Sequence, residues 1–299
     1  MLTNGFFTRR ICWAAFLTTL ISLIGASSAK PAVLVSNGFE VDTTGWLSTT
    51  RVPSGTNGIT SASGSHHAEG VSGSVATPAS ATFTRWGGYN YGAGDAVPTT
   101  FQEYWTSVDI FLDVATGPAN NTRFDFSSAI NSAAGIHLQD FIFNAGFYND
   151  SDGSPGTGTN RFVISASNNS QPGSAFAKNP GREPIAISTT GWYTFEHHFY
   201  EVAGALAVDM SIFDAVNALV KTWSSTGGVT PGAGQLIATI GGNRYGWFNF
   251  NEFSTLAFDN SELRTADAAV VPEPLSVAVW SLIAVAIGGL SWWRRNSSN

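Results

Sequence analysis

Alternation of apolar and polar positions dominates the middle of the chain. From Tyr104 to Val114, Trp105, Ser107, Asp109, Phe111 and Asp113 fall on one side and Val108, Ile110 and Leu112 on the other. A period of two marks a strand with one buried face. Phe141 to Phe147 and Trp192 to Val202 are rich in aromatic and β-branched residues and predict further strands. Ala205 to Trp223 is long enough for a helix, yet Leu206, Val208, Met210 and Ile212 alternate with Ala207, Asp209 and Ser211. Asp214-Ala215-Val216-Asn217 suits a turn and Leu219 to Trp223 a return strand, so a hairpin is predicted. Turn clusters such as 151–156 and 227–232 separate the runs. Many strands with almost no helix predict an all-β, two-sheet sandwich over residues 30–270.

The two ends follow a different pattern. Arg9 and Arg10 precede an apolar stretch from Ile11 to Ala26, and Ser27-Ser28-Ala29 follows it. This is the order of a secretory signal peptide spanning residues 1–29, with signal peptidase cutting between Ala29 and Lys30. Near the other end, Leu275 to Trp293 carries no charge. At about 1.5 Å per residue it makes a helix of about 28 Å, close to the roughly 30 Å hydrocarbon thickness. Trp292 and Trp293 fit an aromatic belt, and Arg294 and Arg295 a cytoplasmic flank. Val271-Pro272-Glu273-Pro274, just before the span, is forced into an extended shape by its prolines.

Pro272-Glu273-Pro274, an apolar span and Arg294-Arg295, in that order, resemble the PEP-CTERM sorting signal over residues 271–299. The resemblance implies export by a bacterium that makes exopolysaccharide, processing by exosortase, and an inner-membrane precursor with its ectodomain outside the cytoplasm. The destination it implies is the cell surface or extracellular matrix. Asn37-Gly38-Phe39-Glu40 leading to Gly45-Trp46, and Leu256-Ala257-Phe258-Asp259-Asn260, are similar to the opening and closing strands of extracellular jelly-roll modules. Gly191-Trp192-Tyr193-Thr194-Phe195 is similar to concanavalin A-like domains. This second resemblance implies a jelly-roll-like sandwich that binds carbohydrate, with glycan hydrolases and lyases among its relatives. It also implies a structural calcium ion near Glu40 and Asp259.

The residues themselves offer little catalytic chemistry. In His66-His67-Ala68-Glu69 and Glu196-His197-His198, strand geometry puts His67 with Glu69 and Glu196 with His198, but adjacent histidines point apart, so each pair gives only one histidine ligand per face for a zinc or iron ion. Asp109 and Asp113 share a face but stand about 13 Å apart at roughly 3.3 Å per residue, too far for a glycosidase pair. No nucleophile elbow or phosphate loop is present. Asn149-Asp150-Ser151-Asp152-Gly153 reads as a flexible polar turn. Aromatic segments interleaved with arginine and asparagine, Phe83 to Tyr91 and Asn243 to Phe248, are the candidate sugar platforms. Trp86, Tyr89, Tyr91, Arg244, Tyr245 and Trp247 are their contact residues.

Composition sharpens these readings. The chain has 14 basic and 21 acidic residues among 299. Four of the basic ones lie in the two end signals, so residues 30–274 hold 10 basic and 21 acidic residues, a net of −11. Such a field excludes a nucleic-acid binder. The one cysteine, Cys12, lies in the signal peptide, which excludes disulfides and cysteine zinc sites downstream. The expected protein is an exported, non-enzymatic module that binds exopolysaccharide or serves as structure, with an extracellular glycan-degrading enzyme as the alternative. Its expected partners are signal peptidase and exosortase during processing, the membrane through segment 275–293, and exopolysaccharide.

Overall fold

Strand β9 (Gly191–Val202) shows how the sequence pattern becomes architecture. Tyr193, Phe195, His197 and Phe199 point inward and are buried, while Trp192, Thr194, Glu196, His198 and Tyr200 alternate outward and stay half-buried. The computed structural model describes residues 32–44, 46, 49–70, 101–134, 136–168, 177–225, 235–241 and 246–266. All fall within one unit, Pro31–Ala266. The two end signals and the aromatic segment at 83–91 lie outside the described residues, as do Arg244 and Tyr245.

The other strands are β1 (Ala32–Asn37), β2 (Thr49–Pro53), β3 (His66–Gly70), β4 (Tyr104–Leu112), β5 (Thr122–Asn131), β6 (His137–Tyr148) and β7 (Arg161–Asn168). They continue with β8 (Ile185–Ile187), β10 (Ala205–Asp214), β11 (Leu219–Ser225), β12 (Gly246–Asn251) and β13 (Leu256–Thr265). All the pairings are antiparallel. Eight strands form one sheet in the order β11-β10-β9-β4-β13-β3-β2, with β1 also paired to β13. Five form the other, in the order β12-β5-β6-β7-β8. No α-helix occurs among the described residues, and no helix there is long and apolar enough to cross a membrane.

The two sheets meet face to face through an aromatic core. Phe143 of β6 meets Phe195 of β9 edge-on at 5.2 Å, and Phe141 meets Phe199 at 5.4 Å. Phe248 of β12 reaches Phe258 of β13 at 5.1 Å. Each such pair contributes about 0.5–1.5 kcal/mol beyond the area it removes from water. The two-sheet sandwich expected from the alternation is therefore present.

Ala205 to Trp223 forms the expected hairpin, with Met210 opposite Trp223. Its turn closes because the Asp214 carboxylate accepts from the Val216 and Ala218 amides, with Asn217 at φ 62°. The polar turn at 149–153 is not the free loop its composition suggests. Arg161, fully buried, donates to the Pro155, Asp150 and Thr159 carbonyls and to Ser154 Oγ. Its guanidinium also pairs with Asp150 and Asp152, which Lys178 grips from the other side.

Candidate functional site

Outward-facing residues of β9, β4 and β13 share one surface of the eight-stranded sheet, and register decides which of them meet. Asp109 of β4 lies opposite Thr194 of β9, and Ser107 lies opposite Glu196. On the other edge of β4, Ser107 lies opposite Glu262 and Trp105 opposite Arg264, after an irregularity between Asp259 and Glu262. The result is a depression of about 440 Å³ lined by Asp109, Thr194, Glu196, Asn260, Glu262 and Arg264. The β10–β11 turn bounds it with Phe213 and Asn217.

Hydrogen bonds hold the floor in place. Asp109 accepts from Thr194 Oγ1 at 2.5 Å and from Asn260 Nδ2 at 2.8 Å. Arg264 pairs with Glu196 through Nη2 and lies 3.7 Å from Glu262 through Nε. Burial raises the Glu196 carboxyl above its usual range, and the Arg264 charge opposes this. Charge in the depression is uneven, with three carboxylates facing one guanidinium.

Aromatic rings flank the depression along the strand direction. At one end Trp105 stacks on His198 at 4.2 Å and His198 on Tyr200 at 4.5 Å. Glu103 holds His198 Nε2 at 2.7 Å, and Tyr200 donates to Asp209 at 3.3 Å. At the other end Phe111 meets Trp192 at 5.3 Å, and the Trp192 indole donates to the Thr60 carbonyl at 2.7 Å. Trp105 and Phe111 are six residues apart on β4, a separation of about 20 Å at roughly 3.3 Å per residue.

Other sequence candidates are placed differently. Trp247 is a strand residue, 2% exposed and packed on Ala129, and presents no open ring face. Glu40 accepts from the Ser65 amide and hydroxyl and the His66 amide, which hold its carboxyl down at about 2. Asp259, fully buried, accepts from the Ser63 and Asn260 amides, and burial pushes it up to about 6. Both carboxylates therefore reach the loop between β2 and β3, whose donors account for their placement. Gly64 in that loop has φ 59°, and a Cβ there would lie 2.2 Å from Glu40 Oε1.

His67 and Glu69 share a face as strand geometry requires, 3.7 Å apart. His67 is buried, with Nδ1 3.0 Å from Ser61 Oγ. His66 instead lies 3.5 Å from Glu40. Among the described residues no three His, Cys, Asp or Glu side chains gather as a metal-ligand group.

Comparison with known proteins gives little. No family model matches the chain, and no curated protein matches it. Among solved structures, the chain is similar to a protein of unknown function from Shewanella oneidensis. The match has 11% identity and a TM-score of 0.30, covering 91% of this chain and 100% of that one. An alginate lyase from an Alteromonas species matches at 8% identity and a TM-score of 0.26, covering 77% of this chain and 93% of that one. Likenesses this slight carry neither fold nor function across. The protein is an all-β sandwich with a polar, aromatic-flanked depression on its larger sheet.

Proposed function

We propose that the chain is an exported, surface- or matrix-associated protein whose sandwich binds polysaccharide along the outer face of the eight-stranded sheet without cleaving it. The strip of Trp105, His198 and Tyr200, the polar depression, then Phe111 and Trp192, carries this reading. Sugar rings have apolar faces that stack on aromatic side chains, and hydroxyl edges that need donors and acceptors. The strip supplies both in one line. Three carboxylates against one guanidinium favour a neutral polymer over a polyanion.

Two further observations favour binding over catalysis. Both Asp109 oxygens already accept from Thr194 and Asn260, and Glu196 is held by Arg264. The jelly-roll or concanavalin A-like topology is part of this reading. So is its export half, which rests on the signal-like segments at 1–29 and 271–299.

Retention of the full-length protein on immobilised matrix polysaccharide of the producing cells tests the binding. No retention there or on any neutral glycan overturns it. Replacing Pro272-Glu273-Pro274 with alanines tests the sorting. The expected outcome is an uncleaved form in the inner membrane, and normal processing overturns it.

A second reading, an extracellular glycan hydrolase or lyase, draws on Asp109 and Glu196. They are diagonal neighbours on paired strands, a placement of about 7–8 Å between backbones, which suits a glycosidase pair. Turnover of the same polymer by the wild type, lost in Asp109→Asn and Glu196→Gln with folding intact, selects it.

A further inference from the structure

A second cleft opens where the β11 side of the larger sheet meets the smaller one. It is about 230 Å³ and lies between β11, β7 and the 3₁₀ turn Pro180–Arg182. Its floor is apolar, formed by Phe141 and Met210, both buried, with Trp223 beside them. Its walls are mixed, with Ala166 beside the polar Ser167, Arg182, Thr222 and Ser225.

The rim is built in advance. Asn179 caps the 3₁₀ turn by accepting from the Gly181 amide at 3.0 Å. The Trp223 indole then donates to the carbonyls of both Arg182 and Glu183 at 3.1 Å, tying the turn to β11. Glu183 is turned outward to Lys221 at 3.1 Å, with its side chain mostly in solvent.

Two groups in this cleft are left with unused bonding capacity. Ser225 is 6% exposed, yet its hydroxyl has no hydrogen-bond partner among the described residues. Buried hydroxyls are normally satisfied, and this one stands on a cleft wall where a ligand could pair with it. Arg182 makes one long side-chain contact, 3.4 Å to Asn144 Oδ1; Asn144 donates in turn to Asp125, whose charge supports the guanidinium without a direct ion pair. Burial works against its charge.

We infer that this cleft binds a small hydroxylated carboxylate of the sugar-acid class, its carboxylate on Arg182 and a hydroxyl on Ser225. Among the described residues the Arg182 guanidinium has no carboxylate in direct contact and feels Asp125 only through Asn144, so its planar fork is open to a ligand carboxylate. The apolar floor suits a ring body, and Ser225 is the wall hydroxyl left for a polar edge, since those of Ser167 and Thr222 already bond to Asn144 and Ser211. The volume lies below the roughly 300–1,000 Å³ of pockets for drug-sized ligands, which fits a single ring. The site is separate from the outer face of the eight-stranded sheet and does not depend on that face binding glycan.

Calorimetric titration of the full-length protein with glucuronate, glucose and acetate tests this. Glucuronate is expected to bind at least tenfold more tightly than either of the others. Arg182→Gln should remove that margin, Arg182→Lys should keep part of it, and Ser225→Ala should weaken glucuronate about threefold. Arg182 contributes to the turn through its carbonyl, so the Gln variant keeps the Trp223 bond, and unchanged tryptophan fluorescence checks this. No millimolar glucuronate binding, equal binding of glucose, or equal binding of acetate as a mere adventitious anion overturns the inference. So does full affinity in the Gln variant.

Discussion

His197 of the larger sheet donates from Nε2 to the Phe141 carbonyl of the smaller one at 3.0 Å, inside the aromatic core. The imidazole is fully buried, its Nδ1 has no partner, and Phe126, Phe143 and Phe199 surround it. Only the neutral ring suits such a place, and burial pushes its pKa down to about 3. The unfolded chain takes up that proton near 6.5. Between about 6.5 and 3 the unfolded state therefore binds more protons, and stability falls as pH drops.

His197→Phe removes this liability along with the inter-sheet hydrogen bond. Its stability relative to wild type should improve on acidification, by at most about 3 kcal/mol between pH 7 and pH 4. Urea unfolding at both pH values measures the gap. A gap that does not change with pH contradicts the assignment of a neutral buried ring.

Asp125 gives the opposite sign. Burial raises it to about 6 although Asn144 donates to it at 2.9 Å. The folded protein gains a proton there before the unfolded chain does, so acidification from about 6 toward 3.8 favours folding. Asp125→Asn keeps an acceptor for Asn144 and carries no buried charge. It should be more stable than wild type at pH 7.5, by of order 1–2 kcal/mol, with the advantage gone at pH 4.

Removing the anchor of the 150–160 loop should be costly. Arg161→Met leaves Asp150, Asp152 and several carbonyls without their buried donor, at a cost of about 3–5 kcal/mol. Limited proteolysis should then cut within 150–160 at a protease level that spares the wild type. Gly156→Ala is a milder version. At φ 70° its Cβ would lie 2.6 Å from Arg161 Cδ.

Trp105→Ala and Trp192→Ala, at opposite ends of the outer strip, should each weaken polysaccharide retention about tenfold, or about 1.4 kcal/mol. Both rings stand on the solvent side of the sheet, so the unfolding midpoint should change much less than retention does. Equal loss of both properties would show that the rings serve the fold rather than the ligand.

The alternation of β4 and β9 and the 205–223 hairpin were legible in the sequence because each is local. A period of two needs only neighbouring residues, and Asp214 and Asn217 are turn formers in their own right. The polar depression was not legible. Asp109, Glu196 and Glu262 come from strands far apart in sequence, and the irregularity between Asp259 and Glu262 decides which side chain Arg264 meets. Trp247 misled because an aromatic beside glycine and arginine looks the same in a loop as in a buried strand. Arg161 was invisible for a related reason: its partners are mostly main-chain carbonyls, which leave no trace in residue type.

β13 lies inside the larger sheet, with β4 along one edge and β3 and then β1 along the other. Among the described residues, β1 has no strand partner except β13. The earliest described strand thus pairs only with the latest, and without residues 256–265 the larger sheet falls into three pieces, β11-β10-β9-β4, β3-β2 and an unpaired β1. Closure of the larger sheet therefore hangs on one late segment, and a chain cut short before residue 256 would have no template on which to dock its first described strand.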